Sequence, residues 1–159
     1  VSRARVLALV VLIVRVAIGA IFLVAGAAKV GHAAEFAVEI AGFRILPQGV
    51  IAPMALGLPL LEILLGACLV LGVFTRTVAW IAVAVFALFD LAIASAVVRG
   101  MAISCGCFGP NDASVTTWGE VARDAVFIVL ALVVALRPPG ALALDSRINA
   151  LPAEREQPS

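Results

Sequence analysis

Cys105-Gly106-Cys107-Phe108-Gly109 sets two of the chain's three cysteines two residues apart, in the one polar loop between two long apolar runs. The glycine between them takes backbone angles denied to other residues, so two sulfurs can meet across a tight turn. A thiol pair in such a loop points to redox chemistry or to a metal. Four uses stand open. A redox-active pair suits the spacing, because a Cys-x-Cys disulfide closes a very small ring and strain makes such bonds easier to reduce. A purely structural disulfide there would constrain almost no chain. A metal would find only His32 and loop acids as further ligands, so no metal site is expected. The fourth use is none: two idle thiols kept without duty.

The elements that must position this loop are apolar. The 159 residues are 64% hydrophobic and 13% charged, with a mean hydropathy of +1.20. A soluble domain is about half apolar. Four runs are long enough to cross ~30 Å of hydrocarbon: residues 6–28, 51–71, 78–98 and 118–136. The expected fold is an all-α membrane protein, a four-transmembrane-helix bundle over residues 1–137 with a short cytoplasmic tail at 138–159. Arg3, Arg5 and Ala25-Gly26-Ala27 give the first run some likeness to a secretion signal. It is too long for one and is interrupted by Arg15, so a membrane span is expected instead.

The connections carry their own signals. Phe36 and Ile40 lie four apart beside Glu35 and Glu39, the pattern of a short amphipathic helix in the extracytoplasmic interface, ended by Pro47. Gly19 and Gly26, seven apart, share a helix face and allow close helix approach. Pro59 should kink the second span. The short turn at 72–77 makes the second and third spans antiparallel neighbours. Trp80 and Trp118 fall at opposite interfaces, as an aromatic belt requires.

Arg15, Glu62 and Asp90 are the charges set inside apolar runs, where an isolated charge costs several kcal/mol. Counting ~1.5 Å per residue from the inner helix ends puts Arg15 and Glu62 at one depth, about 13 Å, and Asp90 at about 18 Å. An Arg15–Glu62 ion pair is expected. The cluster is either an inter-helix clamp or a polar pocket for a proton relay or a quinone headgroup. At the start of the last run, Arg123-Asp124 lies within a turn of Glu120; a surface ion pair is expected, the functional alternatives being that Arg123 binds an anionic ligand or steadies the cysteine loop.

Orientation follows the cations. With both termini in the cytoplasm, Arg3, Arg5, Arg76, Arg137, Arg147 and Arg155 lie inside, and Lys29, Arg44, Arg99 and Arg123 outside. That places Cys105 and Cys107 in a compartment that permits disulfides. Cys68, three residues from the inner end of its span, is then on the order of 25 Å from the loop. A disulfide needs α-carbons within about 7 Å, so Cys68 is excluded as a partner and is read as a small buried apolar residue. The net charge of +1 is uninformative, and no basic patch suggests nucleic acid, so no nucleic-acid partner is expected.

The chain resembles the DoxX-like membrane proteins, specifically the methylamine-utilisation MauE branch, over most of residues 15–136. The resemblance is carried by Arg15-Val16-Ala17-Ile18-Gly19, Ala25-Gly26-Ala27-Ala28-Lys29, Leu46-Pro47 and Pro59-Leu60-Leu61-Glu62. It continues through Gly66, Leu71-Gly72, Arg99-Gly100, Cys105-Gly106-Cys107-Phe108-Gly109 and Arg123-Asp124. It implies a four-helix bundle in the bacterial plasma membrane, associated with extracytoplasmic thiol–disulfide exchange and a thioredoxin-like partner. The more distant DoxX-like relatives make a quinone the candidate cofactor. The second class of function is a non-catalytic accessory subunit of a larger cell-envelope complex, such as a transporter or respiratory complex. The expected topology has a direct check. An impermeant thiol reagent applied to intact, reduced cells should label the loop at 100–119; labelling only after lysis reverses the orientation.

Overall fold

The computed structural model describes residues 3–104, 115–137 and 143. They form five α-helices: α1 (Arg3–Lys29), α2 (Ala33–Gly42), α3 (Gln48–Leu71), α4 (Thr75–Val98) and α5 (Trp118–Leu136). No strand occurs among the described residues beyond an isolated antiparallel bridge. Every apolar run expected to be helical lies in a helix, and α2 falls where the short amphipathic helix was expected. Three helices, α1, α3 and α4, are long and apolar enough to cross a membrane. The fourth run is a helix of 19 residues, α5, whose first two turns carry Glu120, Arg123 and Asp124.

α1 packs chiefly on α3 and α4 on α5; α1 also touches α5, and α3 touches α4 more sparingly. The α1–α3 contact is made backbone to backbone. A Cβ on Gly66 would lie 2.7 Å from the Gly19 carbonyl oxygen and 2.8 Å from the Leu23 nitrogen. A Cβ on Gly26 would lie 2.7 Å from the Pro59 carbonyl oxygen. Small residues that let backbones approach are how helices associate where lipid is as apolar as the side chains. Gly19 against Gly66 and Gly26 against Pro59 also fix the antiparallel register, each step up α1 matching a step down α3. The two helix pairs then meet over one apolar core. It includes Ile18 and Phe22 from α1, Leu65 and Leu69 from α3, Phe86 from α4 and Ala131 and Val134 from α5.

α3 ends at Gly72, whose left-handed backbone (φ 71°) and N–H to the Cys68 carbonyl close the helix. Cys68 packs against the core as an apolar residue would, but it is half-buried where full burial was expected. α2 does not run on to Pro47. It ends at Gly42, the chain turns through Arg44 at φ 52°, and Pro47 becomes the N-cap of α3. Pro53 and Pro59 both lie inside α3. Phe36 anchors α2 at 2% exposure. Arg99, at the end of α4, donates to the Phe43 carbonyl oxygen (2.6 Å) and to Ser95 Oγ (3.0 Å), tying the ends of α2 and α4 together.

The glycine contacts predict a graded response. Gly66→Val should lower thermal stability in detergent by about 2 kcal/mol or more, because the Gly19 carbonyl oxygen and the Leu23 nitrogen beside it are backbone and cannot yield. Gly57→Ala, at a position of α3 with nothing within 4 Å, should leave stability unchanged or raise it by up to about 1 kcal/mol. Equal effects of the two substitutions would contradict the packing.

Candidate functional site

The charges buried in the bundle do not group as the depth count implied. Glu62 pairs with Lys29, not Arg15: Lys29 Nζ lies 2.9 Å from both Glu62 carboxylate oxygens. The two side chains are 1% and 4% exposed. The Arg15 guanidinium, in a residue also 1% exposed, lies against Gly72 at the other end of α3. Gly72 is ten residues from Glu62, about 15 Å along the helix. The reason is register. The count assumed level inner ends, but Arg15 lies at the end of α3, so residues 3–14 of α1 run about 18 Å past it. Lys29 reaches Glu62 because side chains on a helix lean toward its N-terminus, which carries the ammonium back down α1.

The Lys29 ammonium is also held by aromatic faces, 5.3 Å from the Phe36 ring centroid and 5.7 Å from that of Phe89. Each cation–π contact adds to the ion pair where water is excluded. A second charged group faces it from α5. Arg123 bridges Glu120 and Asp124, with Nη2 3.0 Å from the Asp124 carboxylate. Asp124 is 4% exposed, so this group is not the surface pair that its sequence spacing suggested. Asp90, on α4, is close enough to Asp124 for their charges to interact. The sequence-predicted trio is thus divided three ways, with Glu62 on Lys29, Asp90 beside Asp124, and Arg15 apart.

Lys29, Glu62, Arg123 and Asp124 line one cavity of about 30 Å³ at the seam of the two helix pairs, enough for a water molecule. Its other walls are the rings of Phe22, Phe86, Phe89 and Phe127 and neighbouring aliphatic groups. Phe86 stacks in tilted fashion between Phe22 (4.6 Å) and Phe127 (5.5 Å), which fixes the apolar floor. Beyond Phe89 and Val85, which line both spaces, a larger groove of about 450 Å³ opens between α2, α3 and α4. Glu39 is the one charged side chain along it among the described residues.

Cys105 and Cys107 lie outside the described residues. The chain on either side of them is tied together. Ser104 bridges Val115, Thr116 N–H donates to the Ile103 carbonyl oxygen (2.9 Å), and the Thr116 hydroxyl donates to that of Met101 (2.7 Å). This neck joins the end of α4 to the start of α5, on the same end of the bundle as Lys29 and Arg123. His32 is exposed at the N-cap of α2, clear of the charged cavity's lining.

Lys29, Phe36 and Phe89 are the site residues that sequence reasoning missed. Lys29 stands one residue past the first apolar run, where the sequence reads it only as one of the outside cations. The register set by Gly19 and Gly66 is the signal that would have placed it opposite Glu62.

Apolar helices with a buried Lys29–Glu62 ion pair between them define a multi-pass membrane protein. The sequence profile described as "Methylamine utilisation protein MauE" matches residues 7–137, and the chain belongs to that family. It is similar to the methylamine utilization protein MauE of Paracoccus denitrificans, 33% identical over 129 residues, which are 80% of this chain and 69% of that protein. It is also similar to the MauE of Methylorubrum extorquens, 38% identical over 108 residues, 66% of this chain and 58% of that protein. No solved structure matches the chain.

The pairing is tested by a double-mutant cycle. Lys29→Met and Glu62→Leu should each destabilise the protein by about 3–5 kcal/mol in detergent, since each strands a buried charge. The double variant should recover most of that loss, whereas Arg15→Met with Glu62→Leu should add without recovery.

Proposed function

We propose that this chain is a redox-associated membrane protein of the DoxX-like kind, acting in methylamine utilisation as a thiol–disulfide relay. It would lie in the bacterial plasma membrane with four crossings, α1, α3, α4 and α5, both termini cytoplasmic and α2 in the outer interface. The relay pair is Cys105 and Cys107, and the partner is an extracytoplasmic thioredoxin-like protein. The observation that carries this reading is the neck at Ser104–Val115, which holds both ends of the cysteine segment together over the charged end of the bundle.

In one exchange, a thiolate of the partner's dithiol attacks the Cys105–Cys107 disulfide and forms a mixed disulfide. The partner's second thiolate then displaces the cysteine. The partner leaves oxidised, and Cys105 and Cys107 are left as two thiols, reduced by two electrons and two protons. The reverse sequence carries the same electrons and protons to the partner. Cys68 takes no part, since it is near the opposite end of α3. A quinone, when bound, supplies an acceptor for two electrons and two protons within the membrane.

The second reading is an accessory subunit of a larger envelope complex. It is favoured by the inner half of α1, where Val6, Leu7, Leu9, Val10 and Ile13 are exposed beyond the end of α3. The cysteines separate the two readings. Cys105→Ser or Cys107→Ser alone should trap a mixed disulfide with an extracytoplasmic protein, visible on non-reducing gels and absent after reduction. The double Cys→Ser variant should match a deletion in phenotype. Full function of that double variant would overturn the relay and leave the accessory role.

A further inference from the structure

We propose that the chain returns after α5 as a strap across the end of the bundle at Gly72, seated through Ala143 and held by an ion pair between Asp145 and Arg15. The strap joins the end of α5 to the α1–α3 pair. It stands whether or not the cysteines form a relay.

The seat comes from the overhang of α1. Residues 3–14 run past the end of α3, which leaves a step between α1 and the turn that follows α3. Val6, Leu7, Leu9, Val10 and Ile13 are exposed along this stretch, yet Val11 is 2% exposed and Arg15, one turn on, 1%. Gly72 and Thr75, on either side of the turn, are buried as well. Ala143 is part of what covers this corner. It is fully buried although it lies seven residues past Leu136, the last residue of α5. Its α-carbon lies 2.8 Å, and Arg15 Cζ 2.9 Å, from the point where a Cβ on Gly72 would stand. The returning chain and the guanidinium therefore meet over one glycine, and any side chain at that position would part them.

Charge and composition choose the occupant. A guanidinium shut from water inside an apolar bundle needs acceptors and a counter-charge. The end of α3 offers the negative end of a helix dipole, which is only a partial charge. The segment that carries Ala143 reads Ala141-Leu142-Ala143-Leu144-Asp145: four apolar residues, then the one acid between residues 125 and 153. Asp145 follows Ala143 by two residues, at most about 7 Å of chain, so its carboxylate reaches a guanidinium that Ala143 already adjoins. Arginine and carboxylate then form a charge-assisted bond, the strongest kind open to either group here. The apolar run lies against the apolar wall of α1, and the acid meets its one buried cation. At the other end of the bundle Arg99 ties α2 to α4; the strap is the matching tie at this end, between the two helix pairs.

The test is thiol accessibility in nanodiscs, using the full chain with its native cysteines replaced (Cys68→Ala, Cys105→Ser, Cys107→Ser). Ala143→Cys should react with a water-soluble maleimide about tenfold more slowly than Ser159→Cys, farther along the tail, because reaction must wait for local opening. Adding Asp145→Asn should raise the Ala143→Cys rate about tenfold with helix content unchanged. Arg15→Asp should do the same, and Arg15→Asp with Asp145→Arg should restore the slow rate. Asp145→Asn alters no residue of the five helices, so its result is readable even where Arg15→Asp fails to fold. Equal rates for Ala143→Cys and Ser159→Cys would overturn the seat. An Ala143→Cys rate unmoved by Asp145→Asn would overturn the ion pair, and the strap with it.

Discussion

The buried pair of Lys29 and Glu62 is the constraint around which the bundle is arranged. In low dielectric each charge is tolerable only in the presence of the other, so the end of α1 must meet the middle of α3 at one register. The glycines make that register attainable. Gly19, Gly26 and Gly66 bring the two backbones into contact, and the lysine stem then spans the remaining gap. Neither feature suffices alone. Glycine contacts without the pair would permit sliding by a turn, and the pair without glycines would face a wider gap between the helix axes. Since a buried ion pair is often no more stabilising than apolar residues of equal volume, its value here lies in specifying alignment and in furnishing a polar site.

The remaining charges follow from the same alignment. With Lys29 neutralised by Glu62, α5 can bring Arg123 to the seam only along with its own acids, and it does so with Glu120 and Asp124. The Lys29–Glu62 pair and the Arg123 group then face one another across a small cavity. The aromatic rings between them are the insulation. Phe22, Phe86 and Phe127 form a connected apolar floor, while Phe36 and Phe89 cover the ammonium from the groove side. The charged seam and the neck of the cysteine segment share one end of the bundle because α5 supplies both, beginning at Trp118 and reaching Asp124 within two turns.

The helices were legible in the sequence because each rests on a local pattern. Apolar run length marked α1, α3, α4 and α5, and the Phe36–Ile40 spacing marked α2. The close approach of α1 and α3 was legible in Gly19 and Gly26, since small residues on one face have few other uses. What failed was relative height. Depth counted from helix ends requires the ends to be level, and α1 overruns α3 by residues 3–14, which sent Arg15 to Gly72 and left Glu62 to Lys29. The burial of Asp124 was equally hidden, because Glu120, Arg123 and Asp124 read as a surface set until α4 packs over them. The groove had no sequence signal at all. It exists because α2 rests on α3 and only its end is tied to α4, a fact about contacts not made between three elements.

That division explains where chemistry is concentrated. Within each tight pair, α1 on α3 and α4 on α5, small residues such as Gly19, Gly66, Ala82 and Ala131 let the helices close. The seam between the pairs is filled by large and charged side chains instead, which pack with gaps and admit polar groups. Membership in the MauE family does not by itself fix the reaction, since a fold carries function only through its sites. In this chain the seam, its charges and the adjoining groove are the parts of the described structure whose composition exceeds what holding helices together requires. A bundle serving only as a lateral spacer would be built more stably from the small apolar contacts of its two pairs, with leucine or phenylalanine at Lys29 and Glu62.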